Sequence, residues 1–227
     1  MSLILSIETS TPLCSVAIHQ KGALVSTFET QEDGGHGKRL TRLIESACED
    51  AKISLSELDA IAVSIGPGSY TGLRIGLATA KGLCFGLDKP LICLSTLKIM
   101  ANAWEGLSEN TLLMPMMDAR RMEVYTAVFD YKTKVELIES AAVILEPNSF
   151  ENLEKETISF GNGALKWEKA CMNPKILFSD KHPFPQARHM GEDAYQAFLM
   201  QKFAELIQAE PEYLKEFMGT KPKLKSA

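Results

Sequence analysis

The order of short apolar runs and turns in the first hundred or so residues recurs in the second. A chain that repeats itself at that distance is confined to folds built from two copies of one unit. Leu3–Ile7 (LILSI) is an apolar run ending on Glu8, and about 110 residues later Leu113–Met117 (LMPMM) ends on Asp118. A polar turn follows each acid, Thr9-Ser10-Thr11-Pro12 in one case and Ala119-Arg120-Arg121 in the other. A second strand comes next, Cys14–His19 and then Val124–Phe129, with Ala127 falling on Ala17 and Val128 on Ile18. Lys21-Gly22 signals a hairpin into a third strand, Ala23–Phe28, whose counterpart is Val135–Ile138. Asp59–Ile65 leads into Gly66-Pro67-Gly68, as Thr157–Phe160 leads into Gly161-Asn162-Gly163. Each half thus reads strand, acid, turn, strand, turn, strand, helix, strand, Gly-x-Gly, helix.

The helices come from apolar spacing. Leu40, Leu43, Ile44, Ala47 and Ala51 predict an amphipathic helix over Lys38–Ala51, preceded by a glycine-rich loop, Gly34-Gly35-His36-Gly37. Ser54 and Glu57 have capping-box spacing for a short turn. Ser69 introduces a helix over Thr71–Leu87, Pro90–Leu94 is a fifth strand, and Ser95 caps a helix over Thr96–Trp104. Strands joined by tight turns pair antiparallel, and strands joined through a helix pair parallel. Each half is then a mixed sheet with helices packed on it, the layout of the ribonuclease-H-like unit. Two such units in tandem resemble the superfamily of actin, sugar kinases and the large heat-shock chaperones. The expected fold is therefore α/β, with one unit over residues 1–103, the other over 104–227, and a terminal helix packing back on the first.

Composition removes whole classes of function. With 45% hydrophobic and 23% charged residues in 227, the chain is an ordinary globular protein, not a disordered, collagenous or coiled-coil one. A net charge of -5 argues against a broad basic surface that grips nucleic acid unaided. The five cysteines form no C-x-x-C pair, which predicts reduced buried thiols and a cytoplasmic protein. Met1–Ser10 has no basic leader, and no apolar run reaches the roughly 18 residues that would span a membrane.

Few residues offer chemistry. Glu8 and Asp118 end strands where open sheets bind ligands, and as a pair would hold magnesium or position water; the alternative is that each accepts N–H bonds from its own turn. Glu8 is one methylene longer than the aspartate usual in kinases of this superfamily, a displacement of about 1.5 Å. Gly66 and Gly68, in Gly66-Pro67-Gly68-Ser69, would present N–H groups to a phosphate or simply make a strand-to-helix turn; the lysine of a P-loop is missing. The histidines His19, His36, His182 and His189 have no metal-binding spacing, and no Gly-x-Ser-x-Gly elbow occurs. The basic tail of Lys215, Lys221, Lys223 and Lys225 reads as a solvated end.

The second helix is unusual. Gly72, Gly76 and Ala80 recur at i, i+4, i+8, with Gly82 nearby, and a glycine inside a helix costs about 1 kcal/mol relative to alanine. Such a stripe lets another backbone approach closely. The candidate partner face is Leu40, Leu43, Ile44 and Ala47 of one helix with Leu73, Gly76, Leu77, Ala80 and Lys81 of the other. The alternative is that both helices only cover their own sheet. On the first reading, Leu73→Asp with Leu77→Asp breaks pairing and leaves the monomer folded.

Several segments together carry a narrower resemblance: Ile4–Glu8 with Thr9-Ser10, His36–Leu40, Gly66–Gly76 (GPGSYTGLRIG), Ser95-Thr96-Leu97, Asp118–Tyr125 (DARRMEVY) and Glu210–Leu214 (EPEYL). They resemble the TsaB family, formerly YeaZ, once described as glycoprotease-like. The resemblance implies a non-catalytic subunit of the machinery that makes N6-threonylcarbamoyladenosine beside the anticodon of tRNA. It implies pairing with the catalytic paralogue TsaD through the first two helices, docking of the ATPase TsaE on the pair, a homodimer when TsaD is absent, and contact with tRNA only through the complex. It implies no resident cofactor or metal in the isolated chain, ATP or ADP entering only with the partners, and no catalytic residue. The rival class is an enzyme, either a phosphotransferase of the actin-like superfamily or a metallopeptidase.

Overall fold

The structure is a computed structural model and describes residues 2–31 and 36–215. Gly34 and Gly35 of the expected loop, and Lys221, Lys223 and Lys225 of the tail, lie outside the described residues.

The first half begins with β1 (Leu3–Glu8), β2 (Cys14–Gln20) and β3 (Ala23–Thr30), followed by α1 (His36–Ala51), β4 (Ala60–Gly66), α2 (Tyr70–Leu87), β5 (Leu91–Ser95) and α3 (Thr96–Ala101). Its sheet has the order β3-β2-β1-β4-β5. β1 runs antiparallel to β2, with Glu8 opposite Ser15, and parallel to β4, with Ile4 opposite Ala60. The second half holds β6 (Leu112–Asp118), β7 (Glu123–Asp130), β8 (Glu136–Ile144), β9 (Thr157–Phe160) and β10 (Ile176–Ser179), ordered β10-β9-β6-β7-β8. Replacing each strand by its counterpart reproduces the first sheet, β6 standing for β1. Here too the first hairpin is antiparallel and the crossover strand parallel. The duplication expected from the repeat is present, as the actin-like ATPase fold requires.

The capping residues act as anticipated. Ser69 Oγ accepts Gly72 N–H at 3.2 Å, Ser95 Oγ accepts Lys98 N–H at 3.5 Å, and Ser54 with Glu57 forms the capping box. α1 starts at His36, two residues before the expected boundary, and α3 stops at Ala101 rather than Trp104. Trp104 instead turns into the second half and packs edge-on against Phe160, ring centres 5.3 Å apart.

The larger departure is in the second half. Where the pattern calls for two helices, residues 145–156 and 161–175 contain none. The segment after Gly161 is a run of i→i+3 turns: Ala164, Trp167 and Ala170 donate to the carbonyls of Gly161, Ala164 and Trp167. One fully buried ring, Trp167, covers this face between Phe150 and Phe178, and its Nε1 donates to the Glu146 carbonyl at 3.0 Å.

The first sheet is covered on both faces, so β1 and β2 are buried almost throughout. α1 and α2 seal one face over Leu5, Ile7, Val16, Ile61 and Val63. The other face is closed by α3 and by a helix late in the chain, α4 (Gly191–Leu199), which packs against β1, β3 and β5. His19, fully buried, anchors this return: its Nε2 bonds the Arg188 carbonyl at 3.2 Å and its Nδ1 bonds Ser6 Oγ at 3.0 Å. All five cysteines are free, and no described helix is long and apolar enough to cross a membrane.

Candidate functional site

β1 delivers Glu8 to the end of its sheet with the carboxyl wholly buried. Oε1 accepts the Ser10 N–H at 2.5 Å and so closes the turn; Oε2 has no hydrogen-bond partner among the described residues. Burial pushes the carboxyl above its ordinary value of 4.5, and the bonds from Ser10 offset only part of that rise. With its carboxyl buried and one oxygen given to the Ser10 N–H, Glu8 acts as a turn-closing group. Among the described residues, no three His, Cys, Asp or Glu side chains are placed to hold a metal.

The turn that Glu8 closes is pressed into α2. Thr9 Oγ1 donates to the Gly72 carbonyl at 2.8 Å, and the Ser69 N–H donates to the Ser10 carbonyl at 2.7 Å. A Cβ on Gly72 would collide with the Thr9 carbonyl, and one on Gly76 with Thr9 Oγ1. Gly68 faces Ser10, whose carbonyl would stand 2.6 Å from an added Cβ. Gly66, at φ +133°, faces the Glu212 carbonyl 2.5 Å from where its Cβ would be. These glycines make room for the chain itself, while Gly68 also lines the open cleft beside Ser69, whose N–H is already donated to Ser10.

The same geometry corrects the expected partner face. Leu40, Ile44, Ala47, Leu73, Leu77 and Ala80 are buried in the first half's own core, and Gly76 lies against Thr9. Leu43 is half-buried beside them. Lys81 Nζ donates to the Ala209 carbonyl at 2.9 Å. Each buried leucine contributes roughly 1.5–3 kcal/mol to this half. Leu73→Asp with Leu77→Asp would therefore put unpaired charge into the core and unfold it rather than merely break pairing. The outer face of α2 is different: Arg74, Ala78, Gly82, Phe85 and Gly86 point outward, and Phe85 is 84% exposed. A Cβ at Gly82 or Gly86 would meet nothing within 4 Å.

Between the halves lies a cleft of about 1000 Å³. Its first wall is the Ser10–Pro12 turn and the Gly68–Thr71 loop; its second is the β6–β7 connection with Asn162. Asp118 sits here exposed, paired with Lys166 and accepting the Arg120 N–H at 3.2 Å. Glu8, its equivalent in the repeat, is by contrast wholly buried. Arg120 and Arg121 are consecutive residues at positive φ, 71° and 50°. For a residue with a Cβ, each such conformation costs on the order of 1 kcal/mol.

A strap closes one side of the cleft. After α4 the chain joins the edge of the first sheet, where Ala204 N–H donates to the Leu91 carbonyl at 2.8 Å. Further on, Glu212 N–H donates to the Ile65 carbonyl at 2.7 Å. Tyr213 stacks on Tyr70, centres 5.1 Å apart, and accepts from Arg74 Nε at 3.0 Å. Lys215 then crosses to pair with Glu123 of β7. Sequence reading missed the strap: it has no hydrophobic period, and its one signal was the Glu210–Leu214 run.

This geometry has relatives. The family model described as "TsaD: tRNA N6-adenosine threonylcarbamoyltransferase" matches residues 30–219. The tRNA threonylcarbamoyladenosine biosynthesis protein TsaB of Escherichia coli K12 is 32% identical, with 96% of each chain covered. The solved structure of YeaZ from Pseudomonas aeruginosa superposes with a TM-score of 0.79 at 27% identity, covering 94% of this chain and all of that one. The ADPNP-bound activator of 2-hydroxyisocaproyl-CoA dehydratase from Clostridium difficile shares the fold, with a TM-score of 0.50 at 11% identity over 88% of this chain and 97% of that one. The chain belongs to the TsaB (YeaZ) family, within the wider group that the TsaD family model describes.

Proposed function

We propose that this chain is a non-catalytic pairing subunit in the synthesis of threonylcarbamoyladenosine on tRNA, acting by seating the catalytic paralogue TsaD. The observation that carries this is the outer face of α2. Ala78, Gly82 and Gly86 leave a shallow groove at i, i+4, i+8, with Phe85 standing beside it and Ile207 94% exposed where its carbonyl meets Lys81. A helix gives up roughly 1 kcal/mol for each such glycine. Among the described residues, none uses the space at Gly82 and Gly86. A partner helix laid across the groove would approach closely and bury Phe85. Binding there would shift TsaD toward its active conformation, to the extent that the contact favours that conformation over others. TsaE would dock on the assembled pair, and a second copy of this chain would occupy the face when TsaD is absent. Nucleotide would enter with the partners, the isolated chain working without a resident cofactor.

The test is Gly82→Leu with Phe85→Asp. Both sites are exposed, so the monomer should keep its melting temperature while losing co-purification with TsaD and tRNA modification in a reconstituted system. A variant that still pairs and still supports modification would show the face to be wrongly placed.

A further inference from the structure

The cleft mouth holds two positive charges that the fold itself does not use. Arg120 and Arg121 are exposed and line the cleft. Among the described residues neither is in an ion pair: Asp118 is taken by Lys166 and Glu123 by Lys215. Their backbone conformation is one that Asn or Gly would adopt more cheaply. The β6–β7 connection therefore gains nothing structural from arginine, and the reason for two of them lies in their guanidinium groups. Of the rings along the same cleft, Tyr213 stacks on Tyr70, Arg74 lies over Tyr70, and Lys215 stands 6.0 Å from the Tyr125 ring centre, so the rings already have partners within the chain and, among the described residues, the two arginines do not.

We infer that the Arg120–Arg121 turn is a direct RNA contact, taking the phosphodiester backbone of the tRNA at the cleft mouth. This rests on the function proposed above. The guanidinium fork matches phosphate oxygens bidentately, and two consecutive forks suit the regularly spaced phosphates of one strand. On a chain of net charge -5, long-range attraction to RNA is absent, so contact must come from a few placed cations.

The experiment measures binding of an unmodified tRNA transcript by fluorescence anisotropy across a salt series. It uses the full chain, alone and paired with TsaD. Two variants are compared: Arg120→Ala with Arg121→Ala, and Arg120→Asn with Arg121→Gly. The second removes the charges while relaxing the backbone, so it should melt at or above wild type and cannot lose binding through misfolding. Affinity should fall about tenfold in both, with the log–log salt slope smaller by about 1 to 2. Pairing with TsaD, read by gel filtration, should not change. Unaltered affinity and slope would overturn the proposal. So would loss of poly-glutamate binding with tRNA binding intact, or displacement of the tRNA by micromolar AMP or ADP. Failure to pair with TsaD would instead count against the proposed function, while the measurement on the chain alone still judges the turn.

Discussion

On the inner face of α2, Gly72 and Gly76 each answer to an atom of the same chain; on the outer face, Gly82 and Gly86 answer to none among the described residues. The helix propensity lost is similar at every position, roughly 1 kcal/mol. Inside, that loss lets the Thr9–Ser10 turn sink into the helix, where Thr9 Oγ1 reaches the Gly72 carbonyl and Ser10 accepts from Ser69. Outside, nothing among the described residues offsets it. The same residue in the same helix is thus structural on one side and unexplained on the other. That asymmetry is what separates a partner surface from ordinary sheet packing.

The largest expected effect breaks the inner side. Gly76→Ala places a methyl group against Thr9 Oγ1. Overpacking costs about 1–3 kcal/mol and a disturbed Thr9 hydrogen bond about 1 more, against a propensity gain near 1. Net destabilisation of about 2 kcal/mol should appear as a lower denaturant midpoint. A neutral or stabilising result would mean that the turn yields easily and the inner glycines are not required.

Glu8 holds that turn from the other end, and its effect depends on pH. Its native pKa is raised by burial above 4.5, so the folded state keeps the proton after the unfolded chain has released it. Its contribution is complete below 4.5 and is lost as pH rises through the native value, with a slope of at most about 1.4 kcal/mol per pH unit. Glu212 is shifted in the same direction, by burial and by Glu136, but is present in both proteins of the comparison. Melting curves of Glu8→Gln and wild type should therefore coincide near pH 4 and separate above it, the variant becoming the more stable. Parallel curves from pH 4 to 8 would show that Glu8 is not held protonated.

Strand order was legible because β1, β2, β4 and their counterparts are short apolar runs bounded by turns, and the acid after β1 and β6 fixed the register of the repeat. The two faces of α2 were not. Helical spacing places Gly76 and Gly82 on different stripes but does not say which stripe meets the sheet, and small residues occupy both. Leu73 and Leu77 looked available for a partner because the burial of Leu40 and Ile44 against the sheet is a tertiary fact. The second half misled for a related reason. Gly161–Cys171 stands where a helix belongs, yet Trp167 covers the core with turns alone. Glu8 and Asp118 match in sequence but differ in exposure, one wholly buried and the other open to the cleft and paired with Lys166.

The smallest effect is the sharpest on the comparison itself. Gly82→Ala is the same substitution as Gly76→Ala, six residues further along one helix, and it should have the opposite sign. With nothing within 4 Å of the new methyl group, only helix propensity changes, and the monomer should gain about 0.5–1 kcal/mol. Pairing with TsaD should weaken, because the added methyl group stands where the partner backbone is to approach. A monomer that gains stability and pairs as before would leave the outer groove without a use. A monomer that loses stability would mean that the groove is already filled by this chain, and the distinction between the two faces would collapse.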